Sequence, residues 1–276
     1  MITTRNRLSA LHATIGSLKE QSVQPKRIIV LDDGSSPPVA MKNEPEVTVI
    51  RRESTGYDDR RLVRNQNMCL VFALKNSIVT DTGFVLVSAD DCTYPPTYAE
   101  TIIRRMKTEG VAVASGSRGI RTPPDGWRPP EGSGRIISHD FLQSIGFDVP
   151  ERTGHETWIV FEALRLGYRV ACYTDVKYTH LGAFGGTHGF AEWGHMEYVL
   201  GYDPLFFLAR CGWDVVSRTM PIEASLAAIA NYVRDSLTTP TSDFYRPFDK
   251  EFRSFVARNQ RMRFGTLIQR ILSLKS

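Results

Sequence analysis

Phe84-Val85-Leu86-Val87-Ser88-Ala89-Asp90-Asp91-Cys92-Thr93-Tyr94-Pro95 sets an apolar run against two adjacent acids. The run Phe84–Val87 reads as a buried strand, and the acids fall at its C-terminal end. In open α/β sheets, ligands bind outside the carboxyl ends of the strands. Two neighbouring carboxylates repel unless positive charge sits beside them, and a divalent cation carrying a nucleoside diphosphate is one such partner. A solvated loop, where Asp and Pro are common, is the other reading of this stretch taken alone.

Outward from it the chain alternates. Ile2-Thr3-Thr4 reads as the tail of a strand, and Asn6 as the N-cap of a helix whose Leu8, Leu11, Ile15 and Leu18 share one face. Arg27-Ile28-Ile29-Val30-Leu31 suits a central parallel strand and runs into the turn-forming Asp32-Asp33-Gly34-Ser35-Ser36-Pro37-Pro38. Val47–Ile50 is a further strand, and Leu62–Leu74 a helix with Arg64 near its start. After the acidic strand end, a helix is expected over Tyr98–Lys107 and a strand over Val111–Ala114. Residues 115–134 form a long Gly- and Pro-rich loop carrying Trp127, and loops of that length inside a domain are usually functional or disordered. Phe141–Ile145 is a short helix, and Glu156–Leu166 a helix closed by Gly167. Tyr168–Cys172 and Lys177–His180 read as strands, and Tyr198–Arg210 as one helix. This alternation predicts a doubly wound, mostly parallel α/β sheet.

Composition sets outer bounds. The 276 residues are 42% apolar and 23% charged, as in ordinary soluble globular proteins. A net charge of +4 is too weak to argue for nucleic acid, and none is expected as a partner. Cys69, Cys92, Cys172 and Cys211 show no CxxC spacing and read as reduced thiols of a cytoplasmic protein. No apolar run of eighteen residues marks a spanning helix, and no signal peptide is expected.

Four stretches read together carry a resemblance: Thr3-Thr4-Arg5-Asn6-Arg7, Ile28–Ser35 with its Asp32-Asp33-Gly34-Ser35, Ser88–Asp91, and Gly154-His155-Glu156-Thr157 ahead of Ala163–Val170. In order and spacing they resemble the GT-A fold of family 2 glycosyltransferases, inverting enzymes that use nucleotide sugars. The resemblance covers roughly residues 1–185 as a nucleotide-sugar-binding catalytic domain, leaving 186–276 as a mostly helical, basic C-terminal extension on the acceptor side. By this likeness Thr3, Asp32, Asp33, Arg64 and Asp90 fall at nucleotide-binding positions. Asp91 falls at the metal-binding carboxylate, Glu156 at the catalytic base, and His180 where some relatives place a His near the metal or diphosphate. The sequence departs from the pattern at Ser88, where many relatives have Asp, and at His155, where an acid is usual.

The implied chemistry is transfer to a hydroxyl of a glycan or lipid-linked acceptor, as in cell-envelope polysaccharide biosynthesis. A divalent cation, Mn2+ or Mg2+, would stabilise the leaving diphosphate. Such hard cations prefer oxygen, which disfavours Cys92 as a ligand. Glu156 at a helix start is also read as a simple first-turn acid, and Asp33 as a turn residue. His180 is also read as a strand-end histidine. Trp127 and Trp193 are candidate acceptor-stacking residues or plain core aromatics. From Arg246 to Ser276 there are eight Lys or Arg against two acids, with Phe264, Leu267, Ile268, Ile271 and Leu272 at helical spacing. That helix either packs on the domain or lies peripherally on an anionic membrane face. A non-catalytic GT-A-like scaffold and a sugar-phosphate nucleotidyltransferase are the rival classes. The second would need a Gly-rich, Arg-containing loop after the first strand to hold a triphosphate, and Thr3 to Arg7 contains no glycine.

Overall fold

The computed structural model describes residues 1–41, 44–53, 60–119, 127–182, 187–238 and 240–273, leaving aside the side chains of 187–191 and 266–273. In chain order the elements are β1 (Ile2–Thr4), α1 (Leu8–Lys19), β2 (Ile28–Asp32), β3 (Val47–Arg51), α2 (Arg61–Lys75), β4 (Phe84–Ala89), β5 (Cys92–Thr93), α3 (Tyr98–Glu109), β6 (Val111–Ser117), β7 (Arg135–Ser138), α4 (His139–Ser144), α5 (His155–Arg165), β8 (Arg169–Lys177), β9 (Thr179–His180), α6 (Thr187–Leu200), α7 (Pro204–Val216), α8 (Ile222–Leu237) and α9 (Lys250–Ser273). Contacts divide the chain into two units. One is Met1–Ile120, Pro129–Glu151 and Leu166–Gly182; the other is Arg121–Arg128, Arg152–Arg165 and Ala183–Ser276. This division differs from a boundary at residue 185, because α5 groups with the helical unit.

The first unit is built on a seven-stranded sheet of order β3-β2-β1-β4-β7-β6-β8. β1 is short, yet it is central: Ile2 pairs in parallel with Val30 on one side and Ser88 on the other. From β1 the chain winds one way through α1 to β2 and β3, then returns through α2 to β4 on the other side. Alternate residues of β2 serve the two faces. Ile28 and Val30 pack with Leu11, Ile15 and Leu18 of α1, and with Ile102 and Met106 of α3. Ile29 and Leu31 pack with Cys69 and Ala73 of α2 on the opposite face. The strand order therefore reverses between β1 and β4, which makes their carboxyl ends the topological switch point. Below Met1 an apolar cavity of about 360 Å³ is lined by Ile28, Ile29, Leu70, Phe84 and Leu86.

Several sequence readings need correction. Asn6 does not cap α1. It adopts φ 56° and its side-chain oxygen accepts from the Ser36 N–H, which leaves Arg7 at the N-cap. Leu8 is exposed, so the buried stripe of α1 begins at Leu11. β7 went unread behind the Gly/Pro loop; it is four residues long and runs antiparallel between β4 and β6, so the sheet is mixed. The expected single helix over Tyr198–Arg210 is two helices. Gly201 turns at φ 81°, Asp203 caps α7 by accepting from the Leu205 and Phe206 N–H groups, and Pro204 occupies the first turn.

The second unit is helical. Phe207 and Cys211 of α7 meet Ala228 of α8, with Trp193 and Tyr232 packed against them. α6 and α8 cross closely at Gly194, where a Cβ would overlap the Ala228 carbonyl. Trp158 of α5 stacks on Phe248 and lies near Phe252 of α9. The side chains of Leu267, Ile268, Arg270, Ile271 and Leu272, and residue Lys275, lie outside the described residues. Of the expected polar side of α9, Arg261 pairs with Asp203 at 2.7 Å, and the Arg263 guanidinium stacks 4.0 Å from the Trp127 ring centroid. Among the described residues no helix is long and apolar enough to cross a membrane.

Candidate active site

The carboxyl ends of β1, β2 and β4 bring a set of polar side chains together in the sheet unit. At the end of β2, Asp32 is fully buried and shapes the turn: it accepts from the Ser35 N–H at 2.8 Å and the Val39 N–H at 3.1 Å, and Arg51 lies 3.2 Å away. Burial alone would raise the Asp32 carboxyl; the hydrogen bonds from Ser35 and Val39 and the Arg51 charge hold it below its ordinary value. Asp33 is tied back to β1, its N–H donating to the Thr4 carbonyl at 2.9 Å. Arg61 of α2 grips Asp33 twice, at 2.6 Å to the carboxylate and 2.8 Å to the carbonyl. Arg64, one turn on, pairs instead with Glu151 at 2.7 Å.

At the end of β4, Asp90 and Asp91 are both nearly inaccessible to solvent. The Thr4 hydroxyl donates to Asp90 Oδ2 at 2.7 Å. Thr3, its neighbour in β1, is only partly buried and aligns with Leu31 and Ala89. Arg7 bridges the pair, with Nη1 3.1 Å from Asp90 Oδ1 and 2.9 Å from Asp91 Oδ2. Burial pushes the Asp90 carboxyl above its usual range, the Thr4 hydrogen bond and the Arg7 charge offsetting only part of that rise.

His180 arrives from far along the chain. β5 and β9 pair antiparallel, Cys92 opposite His180, and the Leu181 N–H donates to the Asp91 carbonyl at 2.7 Å. This sets His180 Nε2 3.3 Å from Asp91 Oδ1, while Nδ1 faces the Gly182 carbonyl at 3.0 Å. Asp91 Oδ1 is buried and makes no hydrogen bond. Asp91, Cys92 and His180 offer ligand atoms within 4.8 Å of one another. A carboxylate oxygen without a donor beside an imidazole nitrogen suits a divalent cation. Burial pushes the Cys92 thiol up to about 11, so it stays protonated at neutral pH and suits a hard cation poorly.

Ser88 is not part of this cluster. Its hydroxyl lies 2.7 Å from Tyr94 OH and donates to the Ala89 carbonyl, so it belongs to the buried packing beneath the site. Glu156, Trp127 and Trp193 are in the helical unit. Glu156 lies in the first turn of α5, after Gly154 in the left-handed region at φ 77°. Trp127 lies between Phe161, with ring centroids 5.8 Å apart, and Arg263. Trp193 packs against the Phe207 and Ala228 cluster.

Sequence reading missed Thr4, Arg7 and Arg61. The signals were present: period-two alternation puts Thr4, not Thr3, on the face of Ile2, and the Arg61–Arg64 spacing offered two cations one helical turn apart.

The family model described as Glycosyl transferase family 2 matches residues 1–167. No curated protein sequence gives a match. Among solved structures, S. aureus TarS 1–349 aligns over 98% of this chain and 79% of its own, with a TM-score of 0.50 at 15% identity. The mannosyltransferase PcManGT from Pyrobaculum calidifontis, in complex with GDP-Man and Mn2+, aligns over 98% and 85%, with a TM-score of 0.50 at 14% identity. TarS 1–349 in complex with UDP-GlcNAc aligns over 98% and 80%, again at 0.50 and 14%. At such identities the likeness is one of fold: a mixed α/β sheet of the GT-A kind with a helical C-terminal region.

Asp32 and Asp90 oppose each other in their pH dependence. Asp32 has a folded value below its ordinary 3.8, so its stabilisation is complete above that value and is lost as pH falls through the lower folded one. Asp90 is raised in the fold, so its ionisation costs stability above 3.8. Asp32→Asn is expected to lower unfolding free energy at pH 7 by about 1–3 kcal/mol. In urea titrations its deficit should narrow toward pH 3, and Asp90→Asn should show no such deficit at pH 7. Equal behaviour of the two variants would contradict the assignment.

Proposed function

The chain belongs to glycosyl transferase family 2 and is a glycosyltransferase; from that premise we propose a metal-dependent, inverting enzyme that moves a sugar from a nucleoside-diphosphate donor to a hydroxyl of a glycan or lipid-linked acceptor. The observation that carries this reading is Asp91 Oδ1, buried without a hydrogen bond beside His180 Nε2 at the sheet's switch point. Asp91 and His180 would hold Mn2+ or Mg2+. When bound, the cation neutralises the charge that develops on the leaving diphosphate. Asp33, fixed by Arg61, and Thr3 in β1 would contact the nucleoside base, with Asp32 holding the turn that presents Asp33. Arg64 would add positive charge toward the nucleotide by leaving its partner Glu151. Asp90, oriented by Thr4, accepts from the ribose.

Inversion then needs a single displacement. The acceptor oxygen bonds to the anomeric carbon as the carbon–oxygen bond to the diphosphate breaks, and that electron pair leaves with the diphosphate. The acceptor's proton goes to the carboxylate of Glu156, in the first turn of α5. The donor machinery belongs to residues 1–185 and the acceptor side to residues 186–276, with Trp193 there, and Trp127 from the earlier part of the chain, as candidate platforms for sugar rings.

The four cysteines are free thiols, which supports a reducing, cytoplasmic setting. The excess of Lys and Arg from residue 246 onward supports peripheral attachment to an anionic membrane, where lipid-linked acceptors of envelope polysaccharide synthesis would lie.

Two outcomes test this reading. Glu156→Gln should retain donor binding, measured by thermal shift, and lose transfer by about 10²–10⁴-fold; transfer at the wild-type rate would remove Glu156 as the base. Co-sedimentation with vesicles rich in anionic lipid should fall as salt rises. Binding that is absent, or indifferent to salt, would refute membrane attachment.

A further inference from the structure

Arg7 is placed where the two site carboxylates converge. Its side chain is half-exposed, whereas those of Asp90 and Asp91 are buried. The chain is bent to put it there. Asn6 takes a left-handed conformation, its N–H donates to Ser35 Oγ and its side chain accepts from Ser36, so residue 7 enters α1 facing the end of β4. Gly182 leaves the room. A Cβ at that position would lie 2.6 Å from Asp91 Oδ2 and 3.2 Å from Arg7 Nη2. The two oxygens of Asp91 thus have different neighbours: Oδ2 faces Arg7 at 2.9 Å and Oδ1 faces His180.

One guanidinium compensates two buried carboxylates only in part. A divalent cation on Asp91 would meet Arg7 a few ångströms away, and like charges so close oppose each other. A diphosphate resolves the conflict, because it offers oxygens to the cation and a planar, bidentate partner to the guanidinium. Arg7, half in solvent on a flexible stem, can turn from the carboxylates to the phosphate at little cost in packing.

We infer that Arg7 is a resident counter-ion that makes cation and nucleoside-diphosphate binding interdependent: it holds Asp90 and Asp91 when the donor is absent and turns to the diphosphate when the cation arrives. The inference rests on Asp91 and His180 being the cation site. By linkage, cation and diphosphate then raise each other's affinity by the same factor.

The test is titration of Mn2+ alone into the full chain, with free Mn2+ followed by electron paramagnetic resonance. Arg7→Met should bind Mn2+ about tenfold more tightly than wild type, with Arg7→Lys in between. Simple loss of structure does not raise affinity, and Arg7→Lys keeps the charge should Arg7→Met fold poorly. Asp91→Ala separates the cation site from the role of Arg7. If wild type binds Mn2+ in an Asp91-dependent way but neither Arg7 variant binds it more tightly, the role of Arg7 is refuted and the cation site stands. If wild type, both Arg7 variants and Asp91→Ala are all alike, the cation site and the role of Arg7 fall together.

Discussion

Asp90 and Asp91 are buried side by side at the end of β4, and the sheet unit is organised around making that arrangement tolerable. Two carboxylates out of water repel and lose their hydration unless donors and positive charge replace it. The replacements come from three distant parts of the chain. Thr4 comes from the central strand, Arg7 from the turn after it, and His180 from a two-residue strand that pairs with β5. None of the three is placed by local propensity. Thr4 depends on the register of β1 against β4, Arg7 on the left-handed Asn6, and His180 on the β5–β9 ladder.

The same constraint links fold to function. A structural ion pair would be complete once its charges were matched, whereas here the match is partial. Asp91 Oδ1 has no hydrogen bond, and Asp90 is held above its usual ionisation range by burial. Asp32 shows the contrast within the same unit: it is buried as deeply, is served by Ser35, Val39 and Arg51, and sits below its ordinary value. One acid stabilises a turn. The other two form a centre of incompletely compensated negative charge at a sheet switch point, where open α/β folds bind ligands. In a family 2 glycosyltransferase that charge is suited to a cation and the diphosphate it neutralises.

How much of this was legible in the sequence depends on the range of the interactions. The strands β2 and β4 were readable because each is a continuous apolar run ending in acids, and the strand–helix alternation gave the doubly wound sheet. β7 was not, because four residues following a Gly/Pro loop carry too little pattern, and its pairing partners lie about 25 and 50 residues upstream. The Tyr198–Arg210 reading erred because apolar spacing continued across Gly201-Tyr202-Asp203-Pro204, where a glycine turn and an Asp cap outweigh it. At the site the acids were nameable, and their partners were not. Choosing Arg61 over Arg64 on Asp33, or Thr4 over Thr3 on Asp90, requires helix phase and strand register that the sequence leaves open. Ser88, a departure from the family pattern, proved to be a packing residue bonded to Tyr94.

The most direct measurement of the central claim is a thermal-melting panel of UDP, GDP and dTDP on the intact chain, with and without Mn2+. The account predicts that at least one nucleoside diphosphate raises the melting temperature only when Mn2+ is present. Stabilisation that is equal with and without Mn2+, or absent for every nucleotide, would contradict it.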